Sequence, residues 1–555
     1  MYISSLWKKE KLSICSFIIL AILLLFHLVN NYIVLSLDNT LPIYDEWNRA
    51  EGAYGISMDL KGLNYKNIQL NEIYNRYCQL GDKCRPPLYE ITLSLYFFIQ
   101  KNINADNITM LNMFYFAIIL ISVYGIGLKL KDKATGLLAA FIVSMFPAIF
   151  AMSRGLMVDF PLTAMVSLSI YLMLLTRHFL SIRYSLFLGV GIGLGLLTKA
   201  TYIVFILPPL IYYIFIALKK TFKEKEQFVV IFRNFIMSLL TSLLIAGPWY
   251  LPNMDKIINR ANAMSLQLSA SPHGSFIDFY IRSLFSYSIG PFFLALFLIF
   301  SFVCLVNKKG GVLAIWLFLP LLFFSFSQNK TPRFILPLLP PIALLIGLGI
   351  SLIKSYLIKK RVTFFVVVFS FITYLAISYG TLNHFKICPF YPKERFFPPD
   401  DRVTYGLYFP YCGQTSGWNM EEISNIFLNN MEMNKNKYIG ILCIFNIGRI
   451  HNSLDYYLTS KGIVAHVCCP TAADFFDSAP RDGYDNISEF DFVITKDEDV
   501  GMNGGSIAWI ERLTANFEKH KEEFYLVEQI KNSSGKACIY IYKRKGINEK
   551  SIELF

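Results

Sequence analysis

The feature that most constrains this chain is a series of apolar segments that begins at Leu12 and ends near residue 381. Each segment is about twenty residues long, the length that an α-helix needs to cross the hydrocarbon core of a bilayer. The chain of 555 residues is 54% hydrophobic and only 16% charged, which is too apolar for a soluble protein of this size. We therefore predict a polytopic α-helical membrane protein.

The apolar segments predict about 11 transmembrane helices, at residues 12–36, 108–128, 134–152, 160–177, 183–198, 201–218, 229–250, 280–306, 311–327, 333–353 and 362–381. Lysines precede the first segment and no small-residue cleavage pattern follows it, so we expect a retained first span. A shorter run, Leu88–Gln100, contains Glu90 and predicts an interfacial helix instead. That helix lies within the predicted first external loop, residues 41–107.

The basic residues orient this topology. Residues 1–381 carry 33 Lys and Arg against 16 Asp and Glu, a net charge of +17, whereas residues 382–555 carry 19 against 23, a net charge of −4. With eleven spans, five basic loops fall on one side of the membrane. Because short basic loops stay in the cytoplasm, we predict a cytoplasmic N-terminus in the cell (inner) membrane. The excess of positive charge therefore reflects topology, and we expect no nucleic-acid partner.

Beyond residue 381 the pattern is that of a soluble α/β domain. Strand-like runs lie at 437–445, 462–469, 490–496, 524–530 and 537–544, with helical patterns at 451–460 and 505–520. A proline-rich stretch, Cys388–Asp401, is the predicted linker. We expect a transmembrane domain at residues 1–381 and an extracytoplasmic α/β domain at residues 382–555.

Two adjacent carboxylates, Asp45 and Glu46, follow the first span, and Arg49 comes one helical turn later. If a helix begins here, Asp45 and Arg49 share one face of it. These residues alone leave open an alternative interpretation, in which the acids cap a surface helix in a solvated loop.

Several short loops on the predicted outer face carry charges at the very ends of spans. They are Arg154 and Asp159 in SRGLMVDFPL, Lys199 in GLLTKATY, and Lys330 and Arg333 in QNKTPRFILPLLPP. Basic residues are disfavoured in such loops, so their clustering on one face indicates that they have a functional role. A phosphate is the natural ligand for convergent Arg and Lys, since Arg can hold it with two parallel bonds. Snorkelling of these side chains to the interface is the alternative.

Three further patterns carry less information. The sequence G-x-G-x-G at Gly191, Gly193 and Gly195 lies inside an apolar segment and predicts close helix packing rather than nucleotide binding. The ten cysteines match no zinc-site spacing. Cys78 and Cys84 lie close together in the predicted external loop, where either a disulfide or two free thiols are compatible with the sequence.

Six short motifs, in their order and spacing, resemble those of the integral-membrane glycosyltransferases of the GT-C class. They are Asp45-Glu46, RPPLYE at 85–90, SRGLMVDFPL at 153–162, GLLTKATYIVFILPPL at 195–210, GPWY at 247–250 and TPRFILPLLPPIALL at 331–345. Within this class the chain is most similar to the protein O-mannosyltransferases and the lipid A aminoarabinose transferases. The resemblance covers about residues 1–355.

This resemblance implies a GT-C-like fold that transfers a sugar from a polyprenyl-phosphate carrier to a hydroxyl of a lipid, glycan or protein, outside the cytoplasm. A single displacement of this kind inverts the anomeric centre. The first-loop acid, here Asp45, would be the base. Together with the charge pattern, the resemblance predicts catalytic Asp45 and Glu46 and the substrate-binding residues Arg49, Arg85, Arg154, Asp159, Lys199 and Arg333.

The resemblance is incomplete at a position that concerns a divalent metal. The aminoarabinose transferases usually have Glu-Lys-Pro before the interfacial helix, and that Glu is a metal ligand. This chain has Cys84-Arg85-Pro86 there, which puts a bound metal in doubt. His273 is a further candidate ligand, although a lone loop histidine is more often solvated.

Three other functions fit parts of the sequence. A multi-pass transporter of a lipid-linked or anionic substrate is the main alternative, but transporters place polar groups near the midplane of the membrane. The predicted spans here are nearly free of ionisable residues. An oligosaccharyltransferase would carry Trp-Trp-Asp-Tyr-Gly in its soluble domain, which SGWNM at 416–420 does not match. A catalytically inactive scaffold is the third alternative.

Overall fold

The computed structural model describes residues 14–37, 45–61, 85–99, 105–221, 225–269, 278–284, 288–327 and 330–379, and in the C-terminal part residues 420–430, 439–444, 458, 465–468, 487, 490–496, 505–531 and 538–545. The chain divides into two compact units. The first contains Met1–Asp38, Arg49–Gln100 and Asp106–Gly413, and the second contains Asn39–Asn48, Lys101–Ala105 and Gln414–Phe555.

The described part of the chain up to residue 379 is helical. In chain order the helices are α1 (Ile14–Leu37), α2 (Asp45–Lys61), α3 (Leu88–Ile99), α4 (Ala105–Thr109), α5 (Asn112–Leu130), α6 (Lys133–Ser144), α7 (Pro147–Met152), α8 (Asp159–Leu175), α9 (Ile182–Thr198), α10 (Tyr202–Thr221), α11 (Lys225–Ser269), α12 (Asp278–Ser283), α13 (Gly290–Val306), α14 (Gly311–Phe326), a 3-10 helix (Pro332–Leu338), α15 (Leu339–Ser351) and α16 (Tyr356–Ser378).

Many of these helices are apolar enough to lie in a membrane. Among the described residues, six stretches have the length and composition to cross one: Ile14–Ser36, Asn107–Leu130, Tyr202–Lys219, Gln227–Asn259, Pro332–Ser351 and Tyr356–Ser378. Five further apolar helices have only 10–17 residues: Lys133–Ser144, Asp159–Leu175, Ile182–Thr198, Gly290–Val306 and Gly311–Phe326. The fold is that of a polytopic membrane protein. The predicted total of eleven spans depends on these shorter helices and stays a prediction.

One predicted span is divided by a proline. The segment predicted at 134–152 forms two helices, α6 and α7, and Pro147 is the first residue of the second. Phe146 has an extended backbone (φ −67°, ψ 130°), which fits its position because the ring of the following proline disfavours the helical region. At the other end, Asp132 caps α6 by accepting a 2.8 Å hydrogen bond from the Thr135 backbone N–H.

The helical unit has a buried centre and a periphery of exposed apolar residues. In the apolar window of Pro332–Ser351, 89% of the residues are buried, against 22% for Tyr356–Ser378. Helix α15 packs against α6 and α13, and α5 packs against α6 and α8. A helix that is apolar all round can be buried on every side, whereas an apolar helix that exposes most of its surface requires a lipid environment.

The glycines of α9 allow close helix packing, as predicted. A Cβ atom at Gly189 would lie 2.4 Å from the Ser238 carbonyl oxygen of α11, and one at Gly193 would lie 2.8 Å from a side-chain atom of Ile245. On another face of α9, a Cβ at Gly195 would lie 2.2 Å from the ring of Tyr202. The neighbouring helices occupy the space that side chains would need, so glycine is required for this packing.

The second unit contains a five-stranded sheet, with strands in the order β2-β1-β3-β5-β4. The strands are β1 (Ile439–Cys443), β2 (Ala465–Cys468), β3 (Phe492–Lys496), β4 (Phe524–Lys531) and β5 (Cys538–Arg544), and the helices are α17 (Met420–Asn430) and α18 (Gly505–His520). Strand β1 pairs in parallel with β2 and β3, and β5 pairs antiparallel with β3 and β4.

The sheet has its own hydrophobic core. Leu442 of β1, Val493 of β3 and Leu513 and Phe517 of α18 are buried together. Each strand lies where the alternation of apolar residues predicted one, and so does α18. The predicted helix at 451–460, apart from Leu458, and the predicted linker Cys388–Asp401 lie outside the described residues.

Candidate active site

A buried carboxylate brings together three charged residues that the sequence singles out. Asp159 is the first residue of α8 and is 1% exposed. Its Oδ1 atom accepts a 2.7 Å hydrogen bond from Lys199 Nζ, and its Oδ2 atom lies 3.8 Å from Arg333 Nε. Lys199 directly follows α9, and Arg333 lies in the 3-10 helix Pro332–Leu338. We call these three residues the Asp159 cluster.

The two cations of the Asp159 cluster face an apolar wall. Lys199 Nζ lies 4.9 Å from the centre of the Phe334 ring, and the guanidinium carbon of Arg333 lies 6.0 Å from it. Arg333 Nη1 also contacts the Met157 sulfur at 3.1 Å. Aromatic faces attract cations and exclude water, so they strengthen the electrostatic interactions of both side chains.

Within the Asp159 cluster, two cations share one carboxylate, and both cations reach the surface. The side chains of Lys199 and Arg333 are 24% and 22% exposed, whereas that of Asp159 is 1% exposed. One carboxylate is shared by two cations. A further lysine, Lys330, lies three residues before Arg333 and is buried. Such an arrangement can bind an anion at its exposed side while the carboxylate holds the cations in place.

Arg154 lies in the loop just before α8, and its environment differs from that of the Asp159 cluster. It is 4% exposed and donates hydrogen bonds to Asn31 Oδ1 (2.9 Å), Tyr374 Oη (3.1 Å) and Ser378 Oγ (3.0 Å). Its guanidinium carbon lies 5.0 Å from the centre of the Phe150 ring. Arg154 therefore joins α1 and α16 to the loop before α8. We call Arg154, Asn31, Tyr374 and Ser378 the Arg154 nest.

A further set of polar contacts joins α3 to the loop before α8. Asn112, at the start of α5, accepts a 2.9 Å hydrogen bond from Tyr89 Oη of α3. Its amide donates to the carbonyl oxygens of Gly155 (2.7 Å) and Ser153 (3.3 Å). One asparagine thus connects three segments. The sequence analysis missed it, and its only signal is a polar residue at the start of an apolar run.

The predicted first external loop is described in part. A helix begins at Asp45, and both interpretations of the two acids allow one here. Nothing in the structure describes the side chains of Asp45 and Glu46. Arg49 is buried and forms an ion pair with Glu90 of α3. Arg85 is partly buried and lies just before α3.

The described residues offer no metal site. Among them, no group of three or more His, Cys, Asp or Glu side chains is close enough together to hold a metal ion. His273, Cys78 and Cys84 lie outside the described residues.

Comparison with known sequences supports the class that the motifs predict. The family described as "Dolichyl-phosphate-mannose-protein mannosyltransferase" matches residues 84–246, a range that includes Asp159 and Lys199. The undecaprenyl phosphate-alpha-4-amino-4-deoxy-L-arabinose arabinosyl transferase 2 of Pseudomonas fluorescens is 32% identical over 168 residues, or 29% of each chain. Transferase 1 of the same organism is 31% identical over 176 residues, or 29% of this chain and 28% of that one. The match thus spans less than a third of the length of these relatives.

Two solved structures share the fold over nearly the whole chain. ArnT from Cupriavidus metallidurans, crystallised bound to undecaprenyl phosphate, superposes with a TM-score of 0.60 at 12% identity, covering 94% of this chain and 97% of ArnT. The archaeal oligosaccharyltransferase AglB from Archaeoglobus fulgidus, solved with an inhibitory peptide and a dolichol-phosphate, gives 0.52 at 13% identity, covering 93% of this chain and 74% of AglB. The fold and the family match together show a protein that resembles the GT-C glycosyltransferases. Within that class it resembles the O-mannosyltransferases and aminoarabinose transferases, as the motifs predict.

Proposed function

We propose that this protein is a glycosyltransferase that moves a monosaccharide from a polyprenyl-phosphate carrier to an acceptor hydroxyl of a lipid, glycan or protein. The observation that carries the proposal is the Asp159 cluster, in which two partly exposed cations share one buried carboxylate. Such a site suits a phosphate at the end of an apolar chain. The names of the similar proteins, which refer to undecaprenyl phosphate and dolichyl phosphate, support the same donor class.

The phosphate step follows from charge. A sugar linked through a polyprenyl phosphodiester carries one negative charge on the phosphate. When the bond between the anomeric carbon and the phosphate oxygen breaks, the electron pair stays on that oxygen and the phosphate gains a second negative charge. Lys199 and Arg333 stabilise this developing charge because they are already in place and partly shielded from water. Arg85 is a further predicted contact of the phosphate.

The proton step requires a base. The acceptor hydroxyl loses its proton as its oxygen attacks the anomeric carbon, and a carboxylate within reach of that hydroxyl accepts the proton. We assign this role to Asp45, with Glu46 as the alternative, because both begin α2 just after the first span. Attack opposite the departing phosphate inverts the anomeric centre.

We further infer the topology on which this mechanism depends. Each of the eleven predicted spans overlaps one of the six long or five shorter apolar helices, and the basic loops favour a cytoplasmic N-terminus. Residues 1–381 then form the membrane domain, and the α/β sheet belongs to an extracytoplasmic domain at 382–555. Reporter fusions at Lys360 and Gly546 should score on opposite sides of the membrane. The same side for both would overturn this topology.

The function is tested by mass spectrometry of glycolipids and glycoproteins from cells with and without the protein. We expect one monosaccharide modification to disappear and to return when the wild-type protein is restored. The variant Lys199→Met/Arg333→Met should not restore it. A matched control, Lys309→Ala, removes an exposed lysine after α13 and should restore it fully. A transporter in reconstituted vesicles would instead leave the amount of transfer product unchanged, while the lipid-linked sugar would cross from one side of the membrane to the other.

A further inference from the structure

An ion pair buried between two helices of the first loop is not used by the mechanism above. Arg49 of α2 binds Glu90 of α3, and their side chains are 9% and 3% exposed. Among the described residues, the second oxygen of Glu90, Oε2, has no hydrogen-bond partner. A buried charge is strongly unfavourable unless it is paired, so each member of this pair depends on the other.

The pair lies at the contact between the two helices. Gly52, one turn after Arg49, packs against the same glutamate, and a Cβ there would lie 3.4 Å from Glu90 Cγ. Further along α2, the Tyr54 ring packs against Phe97 of α3, with 5.4 Å between the ring centres. Apolar contact has no preferred direction, whereas a buried ion pair has one. The pair therefore sets the register in which α2 lies on α3.

Helix α3 is itself held firmly from its other side. Tyr89, next to Glu90, donates its hydroxyl hydrogen to Asn112 at the start of α5, and Asn112 binds the loop before α8. The hydroxyl groups of Thr92 and Tyr115 are hydrogen-bonded at 2.7 Å. An orientation imposed on α2 by Glu90 is therefore an orientation relative to the helical core.

We propose that Arg49 and Glu90 form a positioning pair that orients α2, and with it the acid at its first residue, and that Arg49 does not bind the donor. Asp45 precedes Arg49 by one helical turn on the same helix. A change in the register of α2 would therefore move the proposed base. This inference rests on the proposed function, because it gives the pair a role in the transfer reaction.

Charge reversal tests the pair with the full-length protein in detergent. Arg49→Glu and Glu90→Arg should each lower kcat by about a hundredfold, the effect of misplacing a reacting group by about 1 Å, with the KM for the donor unchanged. The double variant Arg49→Glu/Glu90→Arg should restore kcat to within about threefold of wild type, since it rebuilds the pair in the opposite sense. Met58→Ala, which truncates an exposed residue of α2, is the control and should leave kcat unchanged.

The outcomes separate this inference from the proposed function. If the wild-type protein transfers no sugar from any polyprenyl-phosphate donor, the proposed function fails and the positioning role fails with it. If the wild type is active but the double variant is as slow as the single variants at wild-type Tm, only the positioning role fails. A donor KM that rises with Arg49→Glu and stays raised in the double variant would make Arg49 a donor ligand. Should the reversed single variants not fold, Glu90→Gln keeps the shape and must still lower kcat; an unchanged kcat would overturn the pair.

Discussion

The Asp159 cluster and the Arg154 nest both depend on the loop before α8, yet the environments of their positive charges differ. In the cluster, two cations share a carboxylate and remain about a quarter exposed. In the nest, one arginine is 4% exposed, and its hydrogen bonds to the described residues all go to neutral oxygens. Arg154 and Asp159 are five residues apart.

This difference teaches that residue type and position at a span end do not define a role. The sequence predicted phosphate binding for Arg154 and Arg333 alike. Exposure and partners separate them: a phosphate can approach Arg333, whereas Arg154 is enclosed by side chains of α1 and α16. We therefore expect the cluster to be a binding site and the nest to be a structural junction.

The largest expected effect tests whether either region supplies the base. The proposal assigns proton transfer to neither, so Asp45→Asn should lower kcat by about a hundredfold or more with little change in donor affinity. Asp159→Asn should mainly weaken donor binding, because it releases Lys199 and Arg333 from their common carboxylate. Single-turnover kinetics and donor titration measure the two quantities. If Asp159→Asn lowers kcat at unchanged donor affinity, Asp159 becomes the candidate base, and the cluster can no longer be described as a binding site alone.

The second prediction separates the two arginines by donor binding. Arg333→Ala should weaken binding of a polyprenyl-phosphate sugar by about 1.5–3 kcal/mol, the usual effect of losing a hydrogen bond to a charged group. Arg154→Ala should leave the affinity of the folded protein within about twofold of wild type, less than about 0.5 kcal/mol. Titration of detergent-solubilised protein with the donor measures both. Equal losses would mean that the nest also contacts the phosphate.

The helices were largely predictable, because the length of an apolar run fixes whether it can span a bilayer. The break at Phe146–Pro147 was only partly predictable, because proline disfavours a helical backbone in the residue before it, yet Pro208 and Pro320 lie inside continuous helices. For Asp159, Lys199 and Arg333, the sequence predicted only that all three lie on the same face of the membrane. Their pairing depends on how α8, α9 and the 3-10 helix pack, and spacing along the chain carries no information about that packing.

The residues that the sequence analysis missed share one property: they are polar groups within or beside apolar runs. Asn31 lies inside an apolar segment, as does Tyr374, and a hydropathy average over twenty residues or so conceals them. A polar side chain within a membrane segment requires a partner, so each was a signal of a buried hydrogen bond. The partner itself, Arg154, could only be identified from the structure.

The third prediction concerns the stability of the nest. Arg154→Met removes a buried guanidinium and leaves Asn31, Tyr374 and Ser378 without its hydrogen bonds. We expect a loss of about 3 kcal/mol in the free energy of unfolding, because three buried oxygens are left without the hydrogen bond of a charged donor. Thermal unfolding in detergent measures the shift in Tm. Lys199→Met is the matched control in the cluster, and its smaller shift should reflect a side chain that already reaches solvent.

The smallest effect tests the nest one hydrogen bond at a time. Tyr374→Phe keeps the ring, which packs on Phe150 with 4.6 Å between the ring centres, and removes only the hydroxyl that accepts from Arg154. It should lower the free energy of unfolding by about 1–2 kcal/mol and leave donor affinity unchanged. Tyr379→Phe is the control, because the Tyr379 hydroxyl binds Asn30 rather than Arg154, at 2.6 Å. Both substitutions are also made in an Arg154→Met background. If Tyr374→Phe and Tyr379→Phe lower the free energy of unfolding equally in both backgrounds, the Tyr374 hydroxyl is not coupled to Arg154. The nest would then be a set of separate contacts rather than a junction.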